Sequence, residues 1–221
     1  MSFSQHLREI AHDIWEAQHA HPFVTGIGDG SLDLDKFGYW LRQDYLYLID
    51  YAKLFGAAML KAPTLELTNT MSQMGHEILH TEMDLHRSYV AEFGITSDQL
   101  EAERKAPTCQ GYTDFLLRTA TVGDFPELMG ALLPCIWGYG ELSERLSARG
   151  MPQDDRLRRW IEMYASEEFQ QLGEWCRTAT DEVCDGLPAD AIQRVEQAFI
   201  TSSRYELAFW QMAWSGEDWL A

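Results

Sequence analysis

The 221-residue chain is poor in positive charge and has no long apolar run. Its 17 lysine and arginine residues stand against 35 aspartate and glutamate residues, which leaves a formal net charge of −18. Such a surface repels nucleic-acid phosphates and anionic lipid headgroups, so we expect no nucleic-acid partner. No apolar segment approaches the ~20 residues needed to cross a bilayer, and the amphipathic start, MSFSQHLREIAHDIW, contains His, Glu and Asp. We therefore expect neither a signal peptide nor a membrane partner.

Cysteine is also scarce. No two of the four cysteines form a C-x-x-C pair, which argues against a zinc site or a thioredoxin-like motif; they are Cys109, Cys135, Cys176 and Cys184. Because no secretory signal is recognisable, we expect the protein in the reducing cytoplasm, where thiols are not oxidised to disulfides.

A sustained alternation of β-branched residues is absent, and so are internal repeats, so strands are not expected. The apolar spacing is helical almost everywhere. It predicts a first helix that ends near His21 and Pro22, followed by helices over 34–60, 65–93, 113–121, 126–148, 155–184 and 189–214. Long helices joined by short turns indicate an all-α protein in which residues 1–221 form a single helical bundle.

Two carboxylates interrupt apolar helix faces. Asp44 lies on a stripe with Phe37, Trp40, Leu41, Leu48, Tyr51 and Phe55, and Glu206 lies on a stripe with Ile192, Val195, Phe199, Phe209 and Ala213. A buried carboxylate is costly unless it is paired or binds a ligand, and burial favours its protonated form, which can act as a general acid. Asp44 could instead pair with Arg42 or Lys53, and Glu206 with an arginine of another helix. Two such acids together favour a polar pocket.

A thiol lies on a helix that contains a proline. Cys135 directly follows Pro134 in LLPCIWGYGEL, and Tyr139 points the same way one turn later. A proline inside a helix removes a backbone hydrogen bond and tends to kink the helix near the thiol. Taken alone, Cys135 is more typical of an inert core cysteine, and Tyr139 of a packing tyrosine.

The sequence resembles the TenA/thiaminase II family from its first helix to its last. Five segments in order carry the resemblance: RQDYLYL around Asp44, QGYTDFL with Tyr112, LLPCIWGYGEL with Cys135 and Tyr139, EMYASEEF with Tyr164, and SSRYELAFWQMAW with Glu206. The resemblance implies a haem-oxygenase-like (TenA-like) helical fold, a homotetramer and a reaction without cofactor or metal. It also implies a small-molecule substrate, because the family hydrolyses the methylene carbon of 4-amino-2-methylpyrimidines.

The resemblance further assigns roles to individual residues. Cys135 would be the nucleophile, which one branch of the family has lost, and Glu206 would be the general acid. Asp44 and Tyr164 would bind the aminopyrimidine, the ring of Tyr47 would pack against it, and Tyr112 and Tyr139 would surround the thiol and the ring. These groups are expected to converge on one enclosed cavity. The preferred substrate stays open between aminomethylpyrimidine, its formylated precursor and thiamin.

Two other functions remain possible at this point. Glu77 and His80 form the Glu-x-x-His spacing of di-iron carboxylate sites, with Glu82 and His86 close by, which would suit a metal-dependent oxidase. All seven histidines fall at or before position 86, however, so the second half of the chain has none to offer. Haem binding through His12 or His19 rests on fold analogy alone. A non-catalytic pyrimidine-binding regulator is the second alternative, although a binder has no need of a nucleophile.

Overall fold

The computed structural model describes residues 1–220, and every regular element in that range is helical. Twelve α-helices and one π-helical segment follow one another as α1 Phe3–Ile10, α2 His12–His19, α3 Pro22–Asp29, α4 Leu34–Lys61, α5 Leu65–Glu77, the π segment Ile78–Glu82, α6 Met83–Ala91, α7 Ser97–Ala102, α8 Pro107–Val122, α9 Phe125–Ser147, α10 Asp155–Tyr164, α11 Glu167–Cys184 and α12 Ala189–Ser215. The all-α prediction is confirmed. No helix in residues 1–220 combines the length and apolarity needed to span a bilayer.

The chain forms two compact units. The first unit contains Met1–Asp33 and Pro126–Trp214, and therefore α1 to α3 and most of α9 to α12. The second contains Leu34–Phe125 and the residues from Ser215 onward, and therefore α4 to α8 with the π segment. The prediction of a single domain over 1–221 stays a prediction.

The predicted first helix is divided into two pieces and is followed by a third helix that we did not predict. Ser2 and Gln5 form a capping box that starts α1, and the chain turns at Ala11 before α2. The His21 side chain then accepts a hydrogen bond from the amide of Phe23, and Pro22 occupies the first turn of α3. Proline and the cap that precedes it therefore mark the start of a helix here, and not only the end of the previous one.

The core of the first unit is built around Trp15 of α2. Its indole nitrogen donates a 2.9 Å hydrogen bond to the hydroxyl of Ser203, and its ring stacks on Phe199 with centroids 5.8 Å apart. Trp137 of α9 meets the same indole edge-on at 5.1 Å. Aromatic packing thus joins the helices α2, α9 and α12, and the indole N–H of Trp15 is hydrogen-bonded within it.

The predicted segment 155–184 is also two helices. The first, α10, ends at Tyr164, and Ser166 starts α11 by accepting a hydrogen bond from the amide of Phe169. The predicted helices 126–148 and 189–214 agree with α9 and α12 within one residue at each end.

In the second unit, α4 confirms the predicted apolar stripe, because all seven of its members are buried: Phe37, Trp40, Leu41, Asp44, Leu48, Tyr51 and Phe55. The predicted helix 65–93 is interrupted by the π segment, in which the amide of Met83 donates to the carbonyl of Ile78, five residues earlier. Gly94 follows with φ +73°, the left-handed conformation that ends a helix.

The start of α8 lies earlier than predicted, at Pro107, and is fixed from two sides. Gln43 of α4 binds the preceding loop, donating to the carbonyl of Arg104 at 3.0 Å and accepting from the amide of Ala106 at 2.8 Å. Glu217 accepts a 2.9 Å hydrogen bond from the amide of Thr108, in the first turn of α8. The polar stretch 97–110, which lies outside the predicted helices, thus contains α7 and the first turn of α8.

Candidate active site

Three residues of the predicted site lie in the second unit. Asp44 and Tyr47 are three residues apart on α4, and Tyr112 lies on α8. The rings of Tyr47 and Tyr112 have centroids 5.3 Å apart, and the ring of Tyr47 also stacks on Tyr51 at 5.3 Å. All three predicted residues are buried. The structure therefore brings the two phenol rings together at the contact between α4 and α8, with Asp44 nearly one turn earlier on α4.

The carboxylate of Asp44 has a partner that we did not predict. Its Oδ2 lies 2.6 Å from Nε2 of His86 on α6. The pairing of Asp44 with Arg42 or Lys53 is wrong, because Arg42 binds Glu103 at 2.9 Å and Lys53 binds Asp50 at 2.9 Å. The side chains of Arg42 and Lys53 extend from other faces of α4 than the one that bears Asp44.

The remaining aromatic members lie in the first unit. Tyr139 of α9 and Tyr164 of α10 have ring centroids 5.0 Å apart. Trp210 of α12 lies 5.2 Å from Tyr139, and Trp160 lies 4.9 Å from Tyr164. Trp210 is fully buried, so it belongs to the core of this unit.

The predicted nucleophile and the predicted acid lie on two helices of the first unit that contact each other, α9 and α12. Two rows with a step of four residues run along the contact between the helices: Ala131, Cys135 and Tyr139 on α9, and Ser202, Glu206 and Trp210 on α12. At one end, the hydroxyl of Ser202 donates to the carbonyl of Ala131 at 2.7 Å. At the other end, the rings of Tyr139 and Trp210 are in contact. Cys135 and Glu206 occupy the middle positions of these two rows.

Cys135 is the most accessible of the cysteines. It is half-buried, whereas Cys109, Cys176 and Cys184 are buried. Burial raises the pKa of the Cys109 thiol to about 12 and that of the Cys176 thiol to about 12, so these two remain protonated at neutral pH. The helix continues through Pro134, which has no amide hydrogen to donate to the carbonyl one turn earlier.

Glu77 and His80, the Glu-x-x-His pair, do not form a metal site with His76 or His86. Glu77 and His80 are exposed, and the Glu77 carboxylate accepts a 2.7 Å hydrogen bond from Thr81. The His80 ring packs on His76 at 4.3 Å, while His86 binds Asp44. The arrangement does not resemble two facing Glu-x-x-His motifs.

A different trio has possible ligand atoms within 4.8 Å of one another: Glu16, His19 and Glu141. Arg145 binds both carboxylates, at 2.8 Å for Glu16 and 2.7 Å for Glu141, and Arg8 binds them as well. A cation placed there would meet two guanidinium groups. We therefore interpret this trio as part of a salt-bridge network that joins α1, α2 and α9.

Residues 8–216 match the family model described as TENA/THI-4/PQQC, and the chain belongs to this family. An aminopyrimidine aminohydrolase of Halalkalibacterium halodurans is 43% identical over 220 residues, which cover 99% of this chain and 98% of that protein. An aminopyrimidine aminohydrolase of Bacillus subtilis is 36% identical over 221 residues, covering 99% of this chain and 92% of that protein. The resemblance stated from the sequence segments is thereby confirmed.

Solved structures agree on the fold. A TenA homologue protein from P. horikoshii OT3 superposes with a TM-score of 0.91 at 29% identity, covering 98% of this chain and 100% of that one. A domain from Shewanella denitrificans with a haem-oxygenase-like fold superposes with a TM-score of 0.77 at 14% identity, covering 96% of this chain and 92% of that one. The predicted haem-oxygenase-like, TenA-like fold class is confirmed.

Proposed function

We propose that this protein is an aminopyrimidine aminohydrolase of thiamin metabolism, which converts an aminomethylpyrimidine and water into the hydroxymethylpyrimidine and ammonia. The observation that carries the proposal is the 43% identity, over nearly the whole length of both chains, to a relative of that name. The half-buried thiol of Cys135 on α9 and the buried carboxyl group of Glu206 on the contacting helix α12 support it independently. Both residues have the chemistry that the reaction needs.

Covalent catalysis is assigned to Cys135. Direct displacement of an amine from the methylene carbon is slow because the amine is a poor leaving group. Addition of the thiolate to a carbon of the pyrimidine ring divides the reaction into easier steps. The electron pair of the ring double bond moves to a ring nitrogen, and the electron-rich adduct then expels the protonated amino group of the aminomethyl substituent as ammonia. Water adds to the methylene carbon and loses a proton, and departure of the thiolate restores the aromatic ring.

Proton transfer is assigned to Glu206. Addition of the thiolate places negative charge on the ring nitrogen, and a protonated carboxyl group can neutralise it by donating its proton. Glu206 is only 2% exposed, an environment that favours the protonated form before the ring is attacked. Tyr139, one turn after Cys135 on α9, would hold the sulfur as a thiolate through its hydroxyl group, together with Tyr112.

Binding of the ring is assigned to residues that supply a carboxylate and flat surfaces. Asp44 would accept a hydrogen bond from the exocyclic amine, and Tyr47 would pack against the ring face. Tyr112 and Tyr164 would complete the contacts with the substrate. Fixing the orientation of the ring places the carbon to be attacked within reach of the nucleophile, and this reduces the entropy cost of the reaction.

The test is the release of ammonia from aminomethylpyrimidine by the purified protein, followed beside the same assay on the formylated precursor and on thiamin. We expect turnover of the amine and its abolition in Cys135→Ser, while Cys176→Ala, which alters a buried cysteine outside the two rows, retains it. A wild-type protein that turns over none of the three compounds would overturn the proposal. Activity retained by Cys135→Ser would remove the covalent step.

The proposal includes a homotetramer in the reducing cytoplasm, as the family resemblance implies. Light scattering coupled to size-exclusion chromatography measures the assembly directly. We expect a mass about four times the chain mass of 25.4 kDa.

A further inference from the structure

The pair formed by Asp44 and His86 lies within the second unit and is almost fully buried. Asp44 is 7% exposed and His86 is 5% exposed. Their side chains approach to 2.6 Å between Oδ2 and Nε2, a distance typical of a charge-assisted hydrogen bond. Within residues 1–220, His86 is the hydrogen-bond partner that the structure shows for the Asp44 carboxylate.

The other ring nitrogen fixes how His86 is protonated. Nδ1 lies 3.0 Å from the backbone carbonyl oxygen of Glu82. A carbonyl oxygen only accepts hydrogen bonds, so Nδ1 must carry a hydrogen atom. With both nitrogens engaged, the imidazole can neither flip nor rotate without losing a buried hydrogen bond. The ring is thereby locked with Nε2 directed at Asp44.

The charges around the ring favour the imidazolium form. Burial alone would lower the pKa of His86, but the hydrogen bond and the negative charge of Asp44 outweigh it, and the pKa of His86 is raised. Glu82 also faces the imidazole, and burial raises the pKa of its own carboxyl group. Asp44 is thus the anion best placed to balance the charge of His86.

We propose that His86 is a positioning residue, which holds Oδ2 of Asp44 so that Oδ1 of the carboxylate is directed to the exocyclic amine of the pyrimidine. This inference rests on the proposed function. A carboxylate paired with an imidazolium offers only acceptor atoms to a ligand. It therefore binds an N–H donor and repels the carbonyl oxygen of a 4-oxo ring, so the pair sets the selectivity for 4-aminopyrimidines.

The experiment compares the affinities of two ligands in four proteins. Isothermal titration calorimetry measures the Kd of the hydroxymethyl aminopyrimidine product and of its 4-oxo analogue, for wild type, His86→Asn, His86→Leu and a control. His86→Asn keeps one N–H donor and loses the charge, whereas His86→Leu loses both. The control is His80→Asn, which alters an exposed histidine of the same helical run. Thermal unfolding of each variant checks that it is folded.

We expect wild type and His80→Asn to prefer the amino compound by about 100-fold, the discrimination given by hydrogen bonds to a charged group. His86→Leu should weaken the amino compound by about 10- to 100-fold and leave the 4-oxo compound almost unchanged. His86→Asn should lie between the two. In turnover, KM should rise more than kcat falls, because the pair acts on binding of the amine.

Equal weakening of both ligands in His86→Leu would show a structural role only and overturn the inference, as would an unchanged preference for the amino compound. If folded wild-type protein binds neither ring, the proposed function fails as well. The two failures are thus distinguished by the wild-type titrations. Should His86→Leu not fold, the preference measured for His86→Asn decides in the same way.

Discussion

At the scale of single residues, the Asp44 carboxylate pairs with His86 on α6, and Glu206 lies in the interior on α12. Asp44 and Glu206 were recognised because each is a lone charge on an apolar stripe, and both are buried. His86 was noticed only as a possible metal ligand. Its pairing with Asp44, 42 residues away, depends on the rotation of α6 about its axis, which spacing along one helix does not determine. Local periodicity indicates that a charged residue is buried, whereas the identity of its partner depends on how the helices pack in three dimensions.

Exposure of the cysteines leads to a first prediction. Iodoacetamide should modify Cys135 in the native protein and leave Cys109 and Cys176 unmodified, because alkylation needs an accessible thiolate. The pKa of each of the two buried thiols is raised to about 12, which suppresses their thiolate form. Peptide mass spectrometry measures the sites. Labelling of Cys109 or Cys176 at a rate similar to that of Cys135 would contradict the accessibility derived from the fold.

Glu206 provides a second prediction at this scale. Glu206→Gln retains the size and most of the hydrogen-bonding capacity of the side chain, but its amide cannot donate a proton as an acid does. We expect kcat to fall by about 10²- to 10⁴-fold, the usual contribution of a general acid. The basic limb of the pH–rate profile should also be lost, since that limb reports the deprotonation of the acid. A variant whose profile keeps both limbs unchanged would require another residue to be the acid.

At the scale of elements, the long helices could be predicted and their interruptions could not. The helix α4 agrees with the prediction to within one residue, because a regular apolar stripe along a 28-residue helix between turn residues leaves little freedom. The breaks at Ala11 and between Tyr164 and Ser166 contain no glycine or proline. Ala11 provides no side-chain cap, and the Ser166 cap on the amide of Phe169 is a single local signal inside a continuous helical periodicity.

The first turn of α8 allows a prediction on stability. The N-cap position of α8, Ala106, makes no side-chain cap, and the Glu217 carboxylate accepts from the amide of Thr108 instead. Glu217→Ala should therefore lower the free energy of unfolding by about 1 kcal/mol, as loss of an N-terminal cap does. Urea denaturation measures it. Glu217→Gln, which keeps an acceptor without charge, should lose less.

The matched control for this cap is Glu174→Ala, which removes an exposed glutamate from the middle of α11. Its effect should stay within about 0.5 kcal/mol, the usual range for surface substitutions. If Glu217→Ala and Glu174→Ala have the same effect, Glu217 does not stabilise α8.

At the scale of the whole molecule, the net charge of −18 makes the acidic side chains the main source of pH dependence. The sequence predicted this excess, but not that Glu16 and Glu141 would be balanced by Arg8 and Arg145 around a buried histidine. Arg145 holds the pKa of Glu16 at about 2. Burial, with the positive charge of Arg145, lowers the pKa of His19 to about 4. His19 is thus neutral in the folded protein at neutral pH.

This network gives a prediction of acid lability. Below its unfolded pKa of about 6.5, His19 takes up a proton in the unfolded chain but not in the folded one, so stability falls as the pH drops from 6.5 towards 4. The loss is on the order of 3 kcal/mol at most. His19→Gln should reduce this slope while leaving the fall below pH 4 that comes from Glu16. Thermal unfolding between pH 2 and 7 measures both, and an unchanged slope between pH 4 and 6.5 in His19→Gln would contradict the assignment.

The π segment determines where this part of the chain can lose a residue without losing its packing. Each residue advances an α-helix by about 100°, so the extra residue held between Ile78 and Glu82 keeps the faces of α5 and α6 in step. Deleting the half-exposed Leu79 should convert the segment to regular α-helix and still leave His86 facing Asp44. Deleting a residue within α5 instead should turn the imidazole away from the carboxylate. We therefore expect a one-residue deletion within the π segment to be tolerated. A one-residue deletion one or two turns earlier, within α5, should abolish pyrimidine binding.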